Sequence, residues 1–360
     1  MSCVGQFHCS ATTGCGSYKE ERRATNFTPH NQSVYRIDRK RGPGDLIVKP
    51  HRRTAMINRK EFVLGLAVAV AVLMLRPAFA QTTTAADTKR GFLDRPGCRI
   101  YYEVTGSGPA IIFAHGIGSN HLTWWQQVPH FSGRYTCVTF GHRGYLPGSE
   151  IPAGPDPRDF AGDLAALIAH LQLSDVRLVA QSMGGWTCLE YTLSFPHNVR
   201  ALVLASTCGT IHMPSVRLAD PQRLTDWNLK AAAARADMQR RGISPPAGER
   251  MAREQPALHF LYQAIGSTTT TFDREELRKR IRAMATRPPE VLRNLAMPTL
   301  FITGDEDMSY PPFLSDALAP LMPNAKVEQV HEAGHSVYYE RASIFNQLVD
   351  RFLAARGEGR

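Results

Sequence analysis

The stretch "VRLVAQSMGGWTC", residues 176–188, sets a serine between a run of strand-forming residues and a glycine pair. A serine hydroxyl is a weak nucleophile unless a histidine takes its proton and an acid orients the imidazole. Both partners occur downstream. "FITGDEDMSYPP" places Asp307 just past an apolar run, and "VEQVHEAGHSVYYE" places His335 in the loop after another. Ser182, Asp307 and His335 can thus supply a nucleophile, an orienting acid and a general base. The elbow pattern G-x-S-x-G is imperfect here, because Ala180 stands at the first glycine. One methyl group bends the pattern without removing its reason, a tight strand-to-helix turn, and Gly184 and Gly185 keep the second flank open. Taken alone, Ser182 reads equally well as a helix cap; the downstream acid and base shift the balance. Asp305 and Glu306 compete for the acid role and His331 for the base. Asp307 is preferred because it lies three residues past Gly304, clear of the strand end, and Gly334 lets the His335 ring reach inward.

A tetrahedral intermediate also needs hydrogen-bond donors for its oxyanion. In "IIFAHGIGSN" the His115-Gly116 pair lets the backbone turn so that the Ile117 N–H faces a substrate carbonyl, and the Met183 N–H at the following helix start is its partner. His115 reads as an orienting, hydrogen-bonded residue rather than a base. Trp124 and Trp125 are candidates for the pocket wall, although core packing is the commoner fate of such residues. Leu224, Trp227, Leu229, Leu258, Phe260, Leu261 and Tyr262 can line an apolar pocket or simply dock their segment on the core; docking is the default reading.

These groups need strands and helices to bring them together. Short apolar runs at 109–116, 135–141, 176–181, 201–207, 298–304 and 326–331 read as strands, several apolar throughout as in a parallel sheet buried on both faces. "CRIYYEV" (98–104), turning through "TGSG" into "PAIIFAHG", predicts a hairpin-like pair. Helical spacing separates the strands, as in Phe160, Leu164, Leu167, Ile168 and Leu171, and again in Ile344, Phe345, Leu348 and Phe352. The alternation predicts an α/β fold with a doubly wound, mostly parallel sheet. Residues 209–290 hold helical stretches but no convincing strand and are expected to form a helical cap over the sheet's carboxyl edge, where ligands bind in open α/β sheets. The core is then 81–208 and 291–360.

The net charge of +10 first suggests an anionic partner. However, residues 1–60 carry 12 Lys and Arg against 4 Asp and Glu, which leaves +2 for the other 300 residues. No nucleic-acid surface follows. "MINRKEFVLGLAVAVAVLMLRPAFA" (56–80) has the layout of a secretory signal peptide: Arg59 and Lys60, an apolar run over 62–75, then Ala78-Phe79-Ala80. That run falls short of the ~20 residues that span a bilayer, so no stable span is expected after cleavage. Residues 1–55 are polar, basic and without periodicity, and read as a non-native or disordered leader with translation starting at Met56. The expected location is exported, periplasmic or secreted. Three of the seven cysteines lie in that leader; Cys98, Cys137, Cys188 and Cys208 lack metal-ligand spacing, and leave room for one disulfide but no disulfide framework.

Across roughly 97–355 the chain resembles proteins of the α/β-hydrolase fold that carry a helical cap. The resemblance rests on H-G-x-G (His115–Gly118), the elbow "AQSMGG", G-x-x-D (Gly304–Asp307) and Gly334-His335, in the chain order nucleophile, acid, histidine. It departs at "FGHRGYLPGS", where His142 stands near the family's usual aspartate; this affects loop hydrogen bonding and leaves the triad intact. The resemblance implies a cofactor-free, metal-free serine hydrolase that cleaves a carboxylic ester or lactone through an acyl-enzyme. Its partner would be a small molecule, an apolar ester or lactone. Carbon–carbon bond hydrolysis or enol-lactone opening on the same triad is the nearest alternative, and a ligand-binding protein with an idle triad is the more distant one. Branches with an aspartate nucleophile are excluded by Ser182.

Overall fold

A computed structural model of the protein describes residues 87–354. The leader and signal-peptide readings therefore fall on residues outside the described part. Eight strands form one sheet: β1 (Thr88–Arg95), β2 (Cys98–Thr105), β3 (Ala110–Ala114), β4 (Thr136–Phe140), β5 (Val176–Gln181), β6 (Val199–Ala205), β7 (Thr299–Gly304) and β8 (Ala325–Val330). Their order is β1-β2-β4-β3-β5-β6-β7-β8, with β1, β2 and β4 paired antiparallel and β4 onward parallel.

Alternation along the strands divides the core between the two faces. Ile112, Ala114, Leu178, Ala180, Leu202, Leu204 and Phe301 point to one side; Ile111, Phe113, Val179, Val203 and Ile302 point to the other. The first face is covered by α2 (Phe160–His170), α3 (Gly184–Ser194) and α8 (Phe313–Leu318), through Leu164, Leu167, Leu189 and Leu314. The second is covered by α1 (Val128–Phe131), by α9 (Val337–Glu340) and by α10 (Ala342–Ala354), whose Phe345, Val349 and Phe352 recur at helical spacing. Each such fully buried side chain contributes roughly 1.5–3 kcal/mol, which is why the strand-helix alternation folds as two helical layers on a sheet.

Between β6 and β7 the chain adds no strand to the sheet and forms the helices α4 (Gln222–Arg240), α5 (Gly248–Glu254), α6 (Pro256–Ser267) and α7 (Arg274–Met284), with 3₁₀ turns at Met213–Ser215 and Pro289–Asn294. Asp273 caps α7 by accepting from the Glu275 N–H. Leu277 and Ile281 of α7 pack with Tyr145, Phe160, Met183 and Phe272, so this segment meets the loop network at the ends of the strands. Leu229 and Phe260 are exposed and Leu261 partly so, whereas Tyr262 is buried and Leu224 and Trp227 lie against the core.

One sequence expectation needs correction. β2 and β3 are not a hairpin: β2 pairs antiparallel with β4 and with β1, while β3 lies between β4 and β5. The true hairpin partner of β2 is β1, "TKRGFLDR", in which only Leu93 is fully buried. All four described cysteines are buried free thiols; burial pushes those of Cys137 and Cys208 up to about 12, as expected for thiols in an apolar core.

Candidate functional site

Ser182 sits between β5 and α3 with φ of +49°, a left-handed conformation that a side-chain-bearing residue adopts only where its surroundings impose it. Those surroundings are visible. The Ser182 N–H donates to the Ala205 carbonyl at the end of β6 (3.1 Å), and the Ser182 carbonyl accepts from the Gly185 N–H (2.8 Å). α3 starts hard against the sheet, where a Cβ on Gly184 would collide with the Ala114 carbonyl. Ala180 is fully buried in the core, so its methyl group is accommodated.

Asp307 and His335 arrive from neighbouring loops, after β7 and β8. His335 Nδ1 lies 2.9 Å from one Asp307 carboxylate oxygen and 3.1 Å from the other. Asp307 is fixed further by the backbone N–H groups of Ser309 (2.7 Å) and Tyr310 (2.9 Å). Both side chains are nearly inaccessible, at 0% and 7% exposure. The two loops approach so closely at Gly304 that any Cβ there would collide with the carbonyls of Ala333 and Gly334. Gln181, the residue before Ser182, donates from Nε2 to the His335 carbonyl at 3.2 Å, which brings the histidine loop beside the elbow. Since Nδ1 faces the carboxylate it carries the proton, and the Nε2 lone pair is left to accept one.

The rivals are placed elsewhere. His331 is 86% exposed and pairs with Asp305 at 2.6 Å. Glu306 binds Arg250 of α5. Neither His331 nor Asp305 meets the buried pair.

The loop after β3 lies against Ser182: a Cβ on Gly116 would stand 3.3 Å from the Ser182 Cβ. Neither the Ile117 nor the Met183 N–H donates a hydrogen bond among the described residues, although Met183 is buried. The loop is held by Tyr145, whose hydroxyl donates to the Ile117 carbonyl at 2.9 Å and toward the Met183 sulfur at 3.6 Å. Behind it, a buried chain of groups fixes His115. His115 Nδ1 donates to the Gly116 carbonyl (2.8 Å), so its Nε2 must accept, and it does so from the His142 backbone N–H (3.1 Å) and Nδ1 (3.0 Å). His142 Nε2 is then left to accept from the Thr187 hydroxyl at 2.8 Å. Burial pushes His115 down to about 3 and holds His142 well below the usual imidazole range, so both rings are neutral donors and acceptors rather than bases.

The tryptophans do not border the cleft described below. Trp124 is fully buried between Phe113 and Tyr338, and Trp125 is half-exposed beside Tyr339. A cleft of about 530 Å3 is bordered by Gly118, Tyr262, Phe272, Arg274 and Arg278, with none of Ser182, Asp307 and His335 on its wall. Sequence reasoning missed Tyr145, Gln181, Thr187 and Glu340. Glu340 is buried and accepts from the Gly334 N–H beside His335, with its second oxygen unpartnered; burial raises its carboxyl to about 7, although the Gly334 N–H opposes the shift. No local pattern singles out any of the four. No group of His, Cys, Asp and Glu suited to a metal ion occurs among the described residues, nor any helix long and apolar enough to cross a membrane.

A family model described as "Alpha/beta hydrolase family" matches residues 111–348. A Mycobacterium tuberculosis protein carrying the name non-heme bromoperoxidase BpoC is 29% identical over 268 residues, covering 71% of this chain and 97% of that one. Two solved structures share the fold. Est816, titled an N-acyl homoserine lactone degrading enzyme, superposes with a TM-score of 0.59 at 22% identity, covering 73% of this chain and all of that one. A thermophilic esterase from Thermogutta terrifontis gives 0.58 at 22% identity, covering 74% and 98%.

Proposed function

The chain belongs to the alpha/beta hydrolase family, and from that premise we propose that it is a serine hydrolase of carboxylic esters or lactones, with Ser182, His335 and Asp307 as its triad. One observation carries the reading: the Gln181–His335 bond sets the buried Asp307–His335 pair beside a strained serine. His335 Nε2 takes the Ser182 Oγ proton as the oxygen attacks the substrate carbonyl. Asp307 holds the Nδ1–H tautomer and stabilises the imidazolium that forms. The free Ile117 and Met183 amides receive the oxyanion, and the fixed loop makes them ready before reaction, where such donors are worth most. Collapse expels the alcohol, protonated by His335, and leaves an acyl-serine. A water, deprotonated by the same histidine, then releases the acid. Phe272, Tyr145 and Met183 form one apolar cluster next to these amides, which favours an apolar portion of the substrate near the scissile carbonyl. The helical segment between β6 and β7 acts as the cap in this reading.

Purified protein should hydrolyse aryl esters and take up a fluorophosphonate label, and Ser182→Ala should abolish both. Wild-type-like turnover in that variant would reject the triad. Export remains part of the proposal through the pattern at 56–80; N-terminal sequencing of protein recovered outside the cytoplasm should begin near Gln81.

A further inference from the structure

Four arginines of the helical segment gather over the loops that hold the site. On α7, Arg274, Arg278 and Arg282 recur at every fourth residue and so form one stripe. It runs beside Leu277 and Ile281, which pack on Met183, Tyr145 and Phe272. Arg235 of α4 adds the fourth, donating to the carbonyl of Met308, the residue after Asp307. Arg274 donates to the Gly266 carbonyl at 3.1 Å and stands 3.9 Å from where a Cβ on Gly118 would lie. Arg278 is paired with the exposed Glu275, but it is half-buried. Burial and the neighbouring Arg282, Arg274 and Arg235 all weaken its hold on the proton. Arg235 is affected likewise by burial and Arg282, with Asp307 in partial opposition. The other carboxylates in reach are occupied: Asp273 caps α7, and Asp307 holds His335. The remaining basic residues of the helix behave differently. Lys279 is exposed beside Glu276, and Arg280 is tied to the Ala153, Gly154 and Pro155 carbonyls.

Arg235, Arg274 and Arg278 are half-buried and Arg282 is exposed at their edge. Half-buried like charges are costly until an anion joins them, and guanidinium groups bind carboxylate or phosphate in a bidentate fork. We propose that Arg235, Arg274, Arg278 and Arg282 form an anion subsite, so that the substrate is an ester or lactone carrying a second, ionised carboxylate or phosphate remote from the scissile carbonyl. This rests on the hydrolase reading above. The apolar cluster at Phe272 then faces the part of the substrate between its two polar ends.

The test compares 4-nitrophenyl hydrogen glutarate with 4-nitrophenyl pentanoate, an anionic and a neutral ester of similar length. The wild type should favour the anionic ester in kcat/KM by about 10- to 100-fold, as charge-assisted hydrogen bonds imply. The preference should fall with added salt. Arg278→Gln and Arg274→Gln should remove most of that preference, read as the ratio of the two kcat/KM values. Lys279→Gln, with the same loss of charge on the same helix, should keep it. In parallel, Ser182→Ala protein is titrated with glutarate and with inorganic phosphate, which tells the two anion sources apart; binding should weaken in the Ser182→Ala, Arg278→Gln double variant. Equal use of the two esters, a preference untouched by Arg278→Gln, or one lost equally in Lys279→Gln would overturn the subsite. If neither ester is turned over, the hydrolase reading fails and the anion titration alone decides the subsite, for or against.

Discussion

Two Asp–His pairs hang from the ends of the same two strands. After β7 and β8, Asp305 meets His331 at 2.6 Å and Asp307 meets His335 at 2.9 Å. The residue types are identical and the first distance is the shorter, yet the settings are opposites. His331 is 86% exposed, and water and salt screen the pair it forms. Asp307 and His335 are buried, and Asp307 accepts two backbone N–H bonds besides the imidazole. An ion pair in water is worth little because both partners were already well solvated; a buried one with all its lone pairs satisfied is rigid and electrostatically strong. Distance alone therefore identifies no triad. Burial and proximity to Ser182 are what favour Asp307 and His335 for the proposed triad.

The largest expected contrast lies in the histidines. His335→Ala should lower kcat on an aryl ester by roughly 10⁵–10⁶-fold, while His331→Ala should leave it within about twofold, the exposed pair being worth less than ~1 kcal/mol. Comparable losses in both variants would erase the distinction. The acids come next. Asp307→Asn should cost about 10⁴-fold, since the amide offers His335 the wrong tautomer; Asp305→Asn should match wild type in the same assay. Third, Gly304→Ala forces a methyl group against the Ala333 and Gly334 carbonyls. It should destabilise the fold by about 1–3 kcal/mol, read as a lower midpoint in urea, because both backbones at that approach are fixed.

A smaller effect involves Glu340, which holds the His335 loop through the Gly334 N–H. Its folded-state value of about 7 lies above its ordinary 4.5. The folded protein thus binds the proton more tightly, and this group's contribution is favourable at low pH and is lost as pH rises from about 4.5 through about 7. Glu340→Gln should flatten that part of the pH–stability curve and raise Tm at pH 8, by on the order of 2 kcal/mol in stability at most. A variant no more stable than wild type at pH 8 would show that Glu340 carries no such cost. The smallest expected effect is on the outer pair, where Asp305→Asn should shift stability by under ~1 kcal/mol and less still in high salt.

Much of this arrangement was legible in the chain. Strands β3 to β7 announced themselves as short, largely apolar runs, because a strand buried on both faces must be apolar; β2 and β8 carry exposed polar positions and were read from their β-branched and aromatic residues. β1 did not: with Leu93 its only fully buried residue, it carries no alternation to read. The supposed β2–β3 hairpin failed for a related reason. The turn at 106–108 is glycine-rich, but β4 takes the place beside β2 through long-range pairing that no turn signals. Trp124 and Trp125 are adjacent and chemically identical, yet one lies fully buried among Phe113 and Tyr338 and the other faces solvent. The buried relay from Thr187 of α3 through His142 to His115 joins a helix and two loops and could not be read from any one of them.

By itself the sequence determined the elements, their alternation, the serine at a strand-to-helix turn, and the short lists of acids and bases that could serve it. Those follow from local propensity, side-chain period and residue chemistry, which act over a few residues. Only the tertiary structure decided that Asp307 meets His335 while Asp305 meets His331, that Gln181 ties the histidine loop to the elbow, and that arginines from α4 and α7 gather over it. Such choices depend on which side chains lose their water together, and that is fixed when distant segments pack and not before.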